Sequence, residues 1–145
     1  MVLNVRMYGC PMVNINDQVK KLQSYYSPRI IAEVNNEYVK IAKIKGDKVP
    51  WHIHENEDEL FYILKGSLVM ELESQPCFEM NKGDLFVVPK GLNHKVSSDK
   101  ECTILLIESK TTLHTGNVIS GITKSINNQK NGIKSINQKT RKFNL

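Results

Sequence analysis

The feature that most restricts what this chain can become is the density of turn signals between residues 45 and 93. Lys45-Gly46-Asp47, Glu55 to Asp58, Lys65-Gly66, Ser74 to Pro76, Lys82-Gly83-Asp84 and Pro89 to Asn93 interrupt the sequence at short intervals. The runs between them are Trp51 to His54, Glu59 to Leu64, Ser67 to Leu72, Leu85 to Val88, His94 to Ser97 and Cys102 to Glu108. They are short for helices and of ordinary length for strands. Upstream, Arg29 to Val34 and Glu37 to Ile44 are β-rich runs joined by Asn35-Asn36, residues that tolerate positive φ, so a hairpin is predicted. No long helical period interrupts residues 29–110, and the pattern predicts an all-β sandwich or barrel. One short helix is expected, Asp17 to Ser24, capped by Asn16, with Val19 and Leu22 on one face and Pro28 ending it.

The 145 residues make one domain of ordinary size. No unbroken apolar run approaches the ~20 residues that span a bilayer. Met1 to Val13 lacks a continuous apolar h-region and a small-residue cleavage site, so no secretory leader is expected. Cys10, Cys77 and Cys102 are odd in number and lack C-x-x-C spacing. That argues against a disulfide framework or a structural zinc site and makes a reduced, cytoplasmic chain the default, with ordinary packing for each thiol. The formal charge of +5 is unevenly placed. From Asn117 to Leu145 there are six bases and no acid, leaving 14 bases against 15 acids before it. Residues 124–130 repeat as 134–139 in a stretch rich in Asn, Lys, Ser and Gln. The expected organisation is an N-terminal segment, 1–27, a barrel, 28–116, and a flexible basic tail, 117–145. Such a tail suits solvation better than a nucleic-acid or lipid site, because its charges are dispersed and stacking aromatics are lacking.

Chemistry concentrates on the short runs. His52 and His54 are two apart, so in an extended segment both imidazoles project from one face. Glu59 opens the next run after a polar turn, and His94 opens another after Pro89-x-Gly91. Three imidazoles and a carboxylate from neighbouring strands can converge on one divalent cation; imidazole suits Fe, Ni, Cu and Zn, and the carboxylate extends the range to Mn. The competing reading is four unconnected surface or core residues of a β-domain.

These residues resemble the cupin family. Gly46-x5-His52-x-His54-x4-Glu59-x6-Gly66 matches the first cupin motif, and Gly83-x5-Pro89-x-Gly91-x2-His94 the second, with Ser98 where the family often has Asn. Nine fixed positions stand at the right spacing, and the short gap between motifs is like that of small single-domain bacterial cupins. The resemblance implies a double-stranded β-helix, or jelly-roll barrel, with His52, His54, Glu59 and His94 as metal ligands at its mouth. It also implies a homodimer, with residues 29–44 as candidate contributors. Gly46, Gly66 and Gly83 are expected at turns with positive φ.

Other residues surround this set. Glu55, Glu57 and Asp58 are alternative carboxylates, read as solvated turn charges. If Glu59 faces inward, Phe61 and Ile63 do too, with Met70, Phe86 and Val88 as further pocket candidates against a reading as simple barrel filling. Trp51 points away from His52 and is read as packing. His114 is read as a surface residue; Tyr38, Lys40 and Lys43 are within reach of the mouth without a role assigned. The expected function is metal-dependent enzymology, dioxygenase-like or Lewis-acid, on a small oxygenated metabolite. The lack of an evident general base besides the ligands slightly disfavours a sugar isomerase. A non-catalytic cupin that binds a sugar or organic acid is the other class.

Overall fold

The computed structural model describes residues 12–130. Among them are seven strands: β1 (Arg29–Val34), β2 (Glu37–Gly46), β3 (Glu59–Lys65), β4 (Ser67–Leu72), β5 (Phe78–Asn81), β6 (Leu85–Val88) and β7 (His94–Ser109). Two short helices, α1 (Ile15–Val19) and α2 (Ile126–Gln129), flank them. Every strand pairing is antiparallel, in the order β1-β2-β7-β3-β6, with β4 joining β5 to β7.

The long β7 organises the barrel. Its first part pairs with β4, Val69 opposite Ser97 and Leu72 opposite His94; its second part lies between β2 and β3. Between them Ser98 is buried, and its hydroxyl lies 2.7 Å from the Ser67 carbonyl and 2.6 Å from that of Lys100. Ser98 thus ties the bend of β7 to the start of β4, where the second motif's Asn is replaced. The bend returns both ends of the strand, His94 and Glu108, to the neighbourhood of Glu59.

Local choices match the sequence. Asn35 takes φ 52° in the two-residue turn between β1 and β2. Gly46, Gly66 and Gly83 have positive φ, as expected. Gly66 has a second constraint: a Cβ there would stand 2.5 Å from the Glu101 carbonyl oxygen, so any side chain would push β7 away. Inside the barrel Ile63, Leu68, Met70, Met80, Cys102 and Ile104 form one apolar cluster with Phe61 and Leu106. A second cluster, Leu22, Ile31 and Ile41 with Val19 and Leu105, lies where the N-terminal segment packs on the sheet.

Several expectations are corrected. Helix α1 is five residues, capped by Asn14, whose side chain accepts from Asp17 N, rather than by Asn16. A helix so short draws its stability from packing, here by Val19 and Leu22 against the sheet. Trp51 to His54 forms no strand; a single bridge joins His52 to His94, and the alternation of burial is kept. Strand β5 was not anticipated, and the two runs from His94 to Glu108 are one continuous strand. Residues 117–130, assigned to a solvated tail, pack on the barrel: Ile122 lies against the core and Gln129 is 1% exposed. Ser125 caps α2, and the Gln129 amide donates to Lys124 O. The tail beyond Lys130 and Cys10 lie outside the described residues. Cys102 is packed and Cys77 is exposed, so ordinary packing holds for the first alone of those two.

Candidate metal centre

Residues 52–54 are held extended by the bridge to β7, with His52 N donating to His94 O and His94 N to His52 O, each at 3.0 Å. That bridge presents His52 and His54 on one side while His94 enters from the opposite segment. Glu59 starts β3 and supplies the carboxylate. All four are buried, His94 completely. Their ligating atoms lie within 4.8 Å of one another.

Two carbonyls set the orientation of two rings. His52 Nδ1 is 2.8 Å from Pro50 O and His94 Nδ1 is 3.0 Å from Leu92 O. A carbonyl only accepts, so each Nδ1 carries the proton and each Nε2 keeps a free lone pair. His54 Nε2, His94 Nε2 and Glu59 Oε2 are buried without a hydrogen-bond partner. His54 Nε2 nevertheless lies 2.5 Å from Glu59 Oε2, and His94 Nε2 lies 3.6 Å from it. His94 Nε2 and Glu59 Oε2 are acceptors crowding a common point, and His54 Nε2 lies against the carboxylate, placed to donate to it when protonated. Buried acceptors of this kind are costly unless a cation or donor sits among them. Ligands about 2.1 Å from one ion lie no more than about 4.2 Å apart, so small side-chain shifts close the set. The residues fit a divalent metal.

The electrostatics divide the set. Burial, then the neighbouring His94, lowers the His52 pKa to about 4, so the ring is neutral at pH 7. Burial also draws His54 down, but contact with Glu59 and the charges of Glu59 and Glu108 outweigh it, and its pKa is raised. Burial would raise Glu59; contacts with His54 and His94 overturn that and hold it well below the ordinary carboxylate range. His52 and Glu59 thus stand in the forms that bind metal, and a cation on the set must displace the proton that Glu59 favours on His54.

The family model of the cupin domain (Cupin_2) matches residues 42–108, which span all four of these side chains. The uncharacterized protein YdbB of Bacillus subtilis (strain 168) is 30% identical over 99 residues, covering 68% of this chain and 84% of that one. The chain belongs to the type-2 cupin family. A cupin-2 domain containing protein from Shewanella frigidimarina NCIMB 400 superposes with a TM-score of 0.64 at 35% identity, covering 68% of this chain and 94% of its own. A protein from Neisseria meningitidis gives 0.63 at 23% identity, over 68% and 99%, and shows the shared fold alone. The cupin's architecture is accordingly the all-β jelly roll.

Around the cluster the cupin differs from what its sequence suggested. A cavity of about 50 Å³ adjoins His52 and Glu59 and is lined mainly by apolar side chains, among them Phe61, Ile104 and Leu106. Phe61 is thus a wall of the cavity. Ile63 and Met70 are buried in the core and do not line it; Phe86 packs edge-on against Phe78, also away from it, and Val88 joins the core. Trp51 is 41% exposed, not packed. Glu55 and Asp58 are exposed; Asp58 accepts from Lys90 N, and Glu57 from the Thr111 hydroxyl. Lys43 lies outside the cavity beside Glu101.

Three charged or titratable residues were missed or undervalued. Glu108 lies opposite Glu59 in the ladder and lines the cavity. Lys40, 1% exposed, pairs with it at 3.2 Å. Burial, then the Glu59 charge, pushes the Glu108 pKa up to about 7 against the pull of Lys40. His114, expected at the surface, lines the same cavity; its Nδ1 accepts from Lys124 N at 2.8 Å. Lys40 had one usable signal: it shares the inward parity of Tyr38, Ala42 and Ile44 on β2. His114 had none, because the fold of residues 111–130 is not periodic.

Proposed function

We propose that this cupin holds one divalent metal ion, Fe, Mn, Ni, Zn or Cu, on His52, His54, Glu59 and His94, and is an enzyme acting on a small oxygenated metabolite. The observation that carries the reading is the buried convergence of ligating atoms, three of them without a hydrogen-bond partner. Such an ion, when bound, supplies Lewis-acid or redox chemistry at the positions the protein leaves open. The chain's own residues do the rest. Pro50 O and Leu92 O fix two rings in the ligating tautomer. Phe61, Ile104 and Leu106 exclude water beside the centre. Glu108, poised near neutrality and paired with Lys40, is a proton acceptor in the cavity wall that sequence reasoning had not found.

The cavity's size and apolar lining support a compact ligand over a sugar, whose hydroxyls need many partners. A sugar isomerase is the weaker alternative; a non-catalytic binder of an organic acid differs only in lacking turnover. A homodimer through residues 29–44 belongs to the same proposal, supported by β1 standing at the edge of the sheet order. No helix among the described residues is long and apolar enough to cross a membrane.

The test is metal content by mass spectrometry in protein purified without added metal. About one equivalent per chain is expected, and near none in His52→Ala/His54→Ala. Unchanged content in the double variant would falsify the site. Oxygen uptake or product formation in a screen of small acids then separates enzyme from binder, and light scattering on a sizing column reads the dimer.

A further inference from the structure

The segment Leu113-His114-Thr115-Gly116-Asn117 is fastened to the ligand segment 52–54 at several points. Asn117 Oδ1 accepts from Ile53 N at 2.9 Å, and Asn117 N donates to Ile53 O at 3.1 Å. Gly116, at φ 53°, sits so close that a Cβ would collide with the Ile53 carbonyl and stand 3.1 Å from His52 Cδ2. Thr115 is 1% exposed, bonded to the Thr123 hydroxyl at 2.6 Å and to Val118 O. Lys124 N, on the far side of this strap, donates to His114 Nδ1. The strap is therefore anchored both to the ligand segment and to its own C-terminal continuation.

The Lys124 bond has a chemical consequence. Nδ1 is occupied as an acceptor, so the neutral ring carries its proton on Nε2, on the far side of the imidazole. Burial and the Lys40 charge keep the ring neutral at pH 7. The cavity it lines also contains His52, Glu59 and Glu108, with Thr115 from the strap and Ile122 from its C-terminal continuation. A neutral imidazole fixed as a donor in a cavity that adjoins two of the four candidate ligands, His52 and Glu59, is suited to a ligand with an acceptor atom there. The volume of about 50 Å³ admits a few heavy atoms, and the apolar walls favour a body without further polar groups.

We propose that His114 is a positioning residue for the ligand: its Nε2–H donates to an acceptor atom of a compact, otherwise apolar molecule or small anion held on the open face of the metal centre. This rests on the metal-site reading. The strap thereby gives the site its selectivity for acceptor-bearing ligands of a few heavy atoms, and Gly116 and Asn117 set the position from which His114 acts.

Two measurements on the full chain test it. In the metal-free protein, nitrogen NMR of the histidine rings is expected to show His114 as the Nε2–H tautomer; an Nδ1–H tautomer overturns the proposal. In protein loaded with Co(II), azide is titrated by visible absorption. His114→Phe is expected to bind azide about tenfold more weakly, the effect of one hydrogen bond to a charged group, with Co(II) affinity held within about twofold. His114→Gln, which keeps an N–H donor, is expected to recover part of the loss. Equal azide affinity in wild type and His114→Phe overturns the role of His114 while the metal site stands. Failure of the wild type to take up Co(II) overturns the metal-site reading and this proposal with it.

Discussion

At the floor of the barrel the inward positions are Ile63, Leu68, Met70, Met80 and Cys102, all buried in one apolar cluster. Four residues back along β3, at the mouth, Glu59 stands opposite Glu108, with Lys40, His52, His54 and His94 buried around them. The same strands build both ends, with the same period-2 alternation, and only the chemistry of the inward side chain changes. Floor residues each contribute roughly 1.5–3 kcal/mol by burial. Mouth residues carry a desolvation cost that their mutual contacts offset only in part. A stable floor therefore lets the mouth keep groups that stability alone would not select.

The Lys40–Glu108 pair separates the two ends most sharply. Lys40→Met leaves Glu108 buried without its cation, so its carboxyl, already at a pKa of about 7, takes up a proton; urea unfolding is expected to show a loss of about 3 kcal/mol at pH 8 and less at pH 6. Lys40→Met/Glu108→Leu is expected to recover most of it, because both charges are then gone. If the double variant is as unstable as the single one, the pair is ordinary packing and the contrast fails.

At the floor, Ile63→Ala is expected to cost about 3 kcal/mol in the same assay, with metal content unchanged. A parallel loss of metal would mean that floor and mouth are one unit. Ending the chain at Asn117 removes Ile122 from the core and the bonds from Thr123 and Lys124. A loss of about 2–3 kcal/mol is expected from these contacts; a purely solvated tail would cost nothing.

The smallest effect is a pH dependence. His114 has a folded pKa lowered to about 4 by burial and the Lys40 charge, against an ordinary value of 6.5. The native state thus binds fewer protons than the unfolded one between those values. The contribution of the neutral ring is complete above pH 6.5 and is lost as pH falls toward 4. Relative to His114→Gln, the metal-free wild type is expected to lose about 1–2 kcal/mol between pH 7 and pH 5. Parallel stability curves for the two proteins would place His114 in solvent.

How much of this was legible depends on how local each signal is. The hairpin at Asn35-Asn36 and the extents of β1, β4 and β6 follow from turn residues and alternation, which act within a few positions. The ligand set was legible because spacing along two short segments fixes which side each ring faces. Strand β5 was missed because Phe78–Asn81 includes Glu79 and Asn81 and buries Met80 alone, whereas the equally short β6 is the apolar run Leu85–Val88. Asn14 displaced Asn16 as the cap because either Asn is chemically suited, and packing of Val19 and Leu22 chose the register.

The sequence by itself determined a chain of short strands and the identity of four side chains able to bind one cation, since both follow from residue type at fixed short spacing. Tertiary structure alone decided what surrounds them. Lys40 meets Glu108 across 68 residues of sequence, and His114 reaches the cavity through a strap without a repeating pattern. The +5 charge belongs to the chain's last 29 residues, yet part of that stretch packs on the barrel. Composition records how many charges and apolar groups a segment has; only contact with the rest of the fold decides whether they are buried.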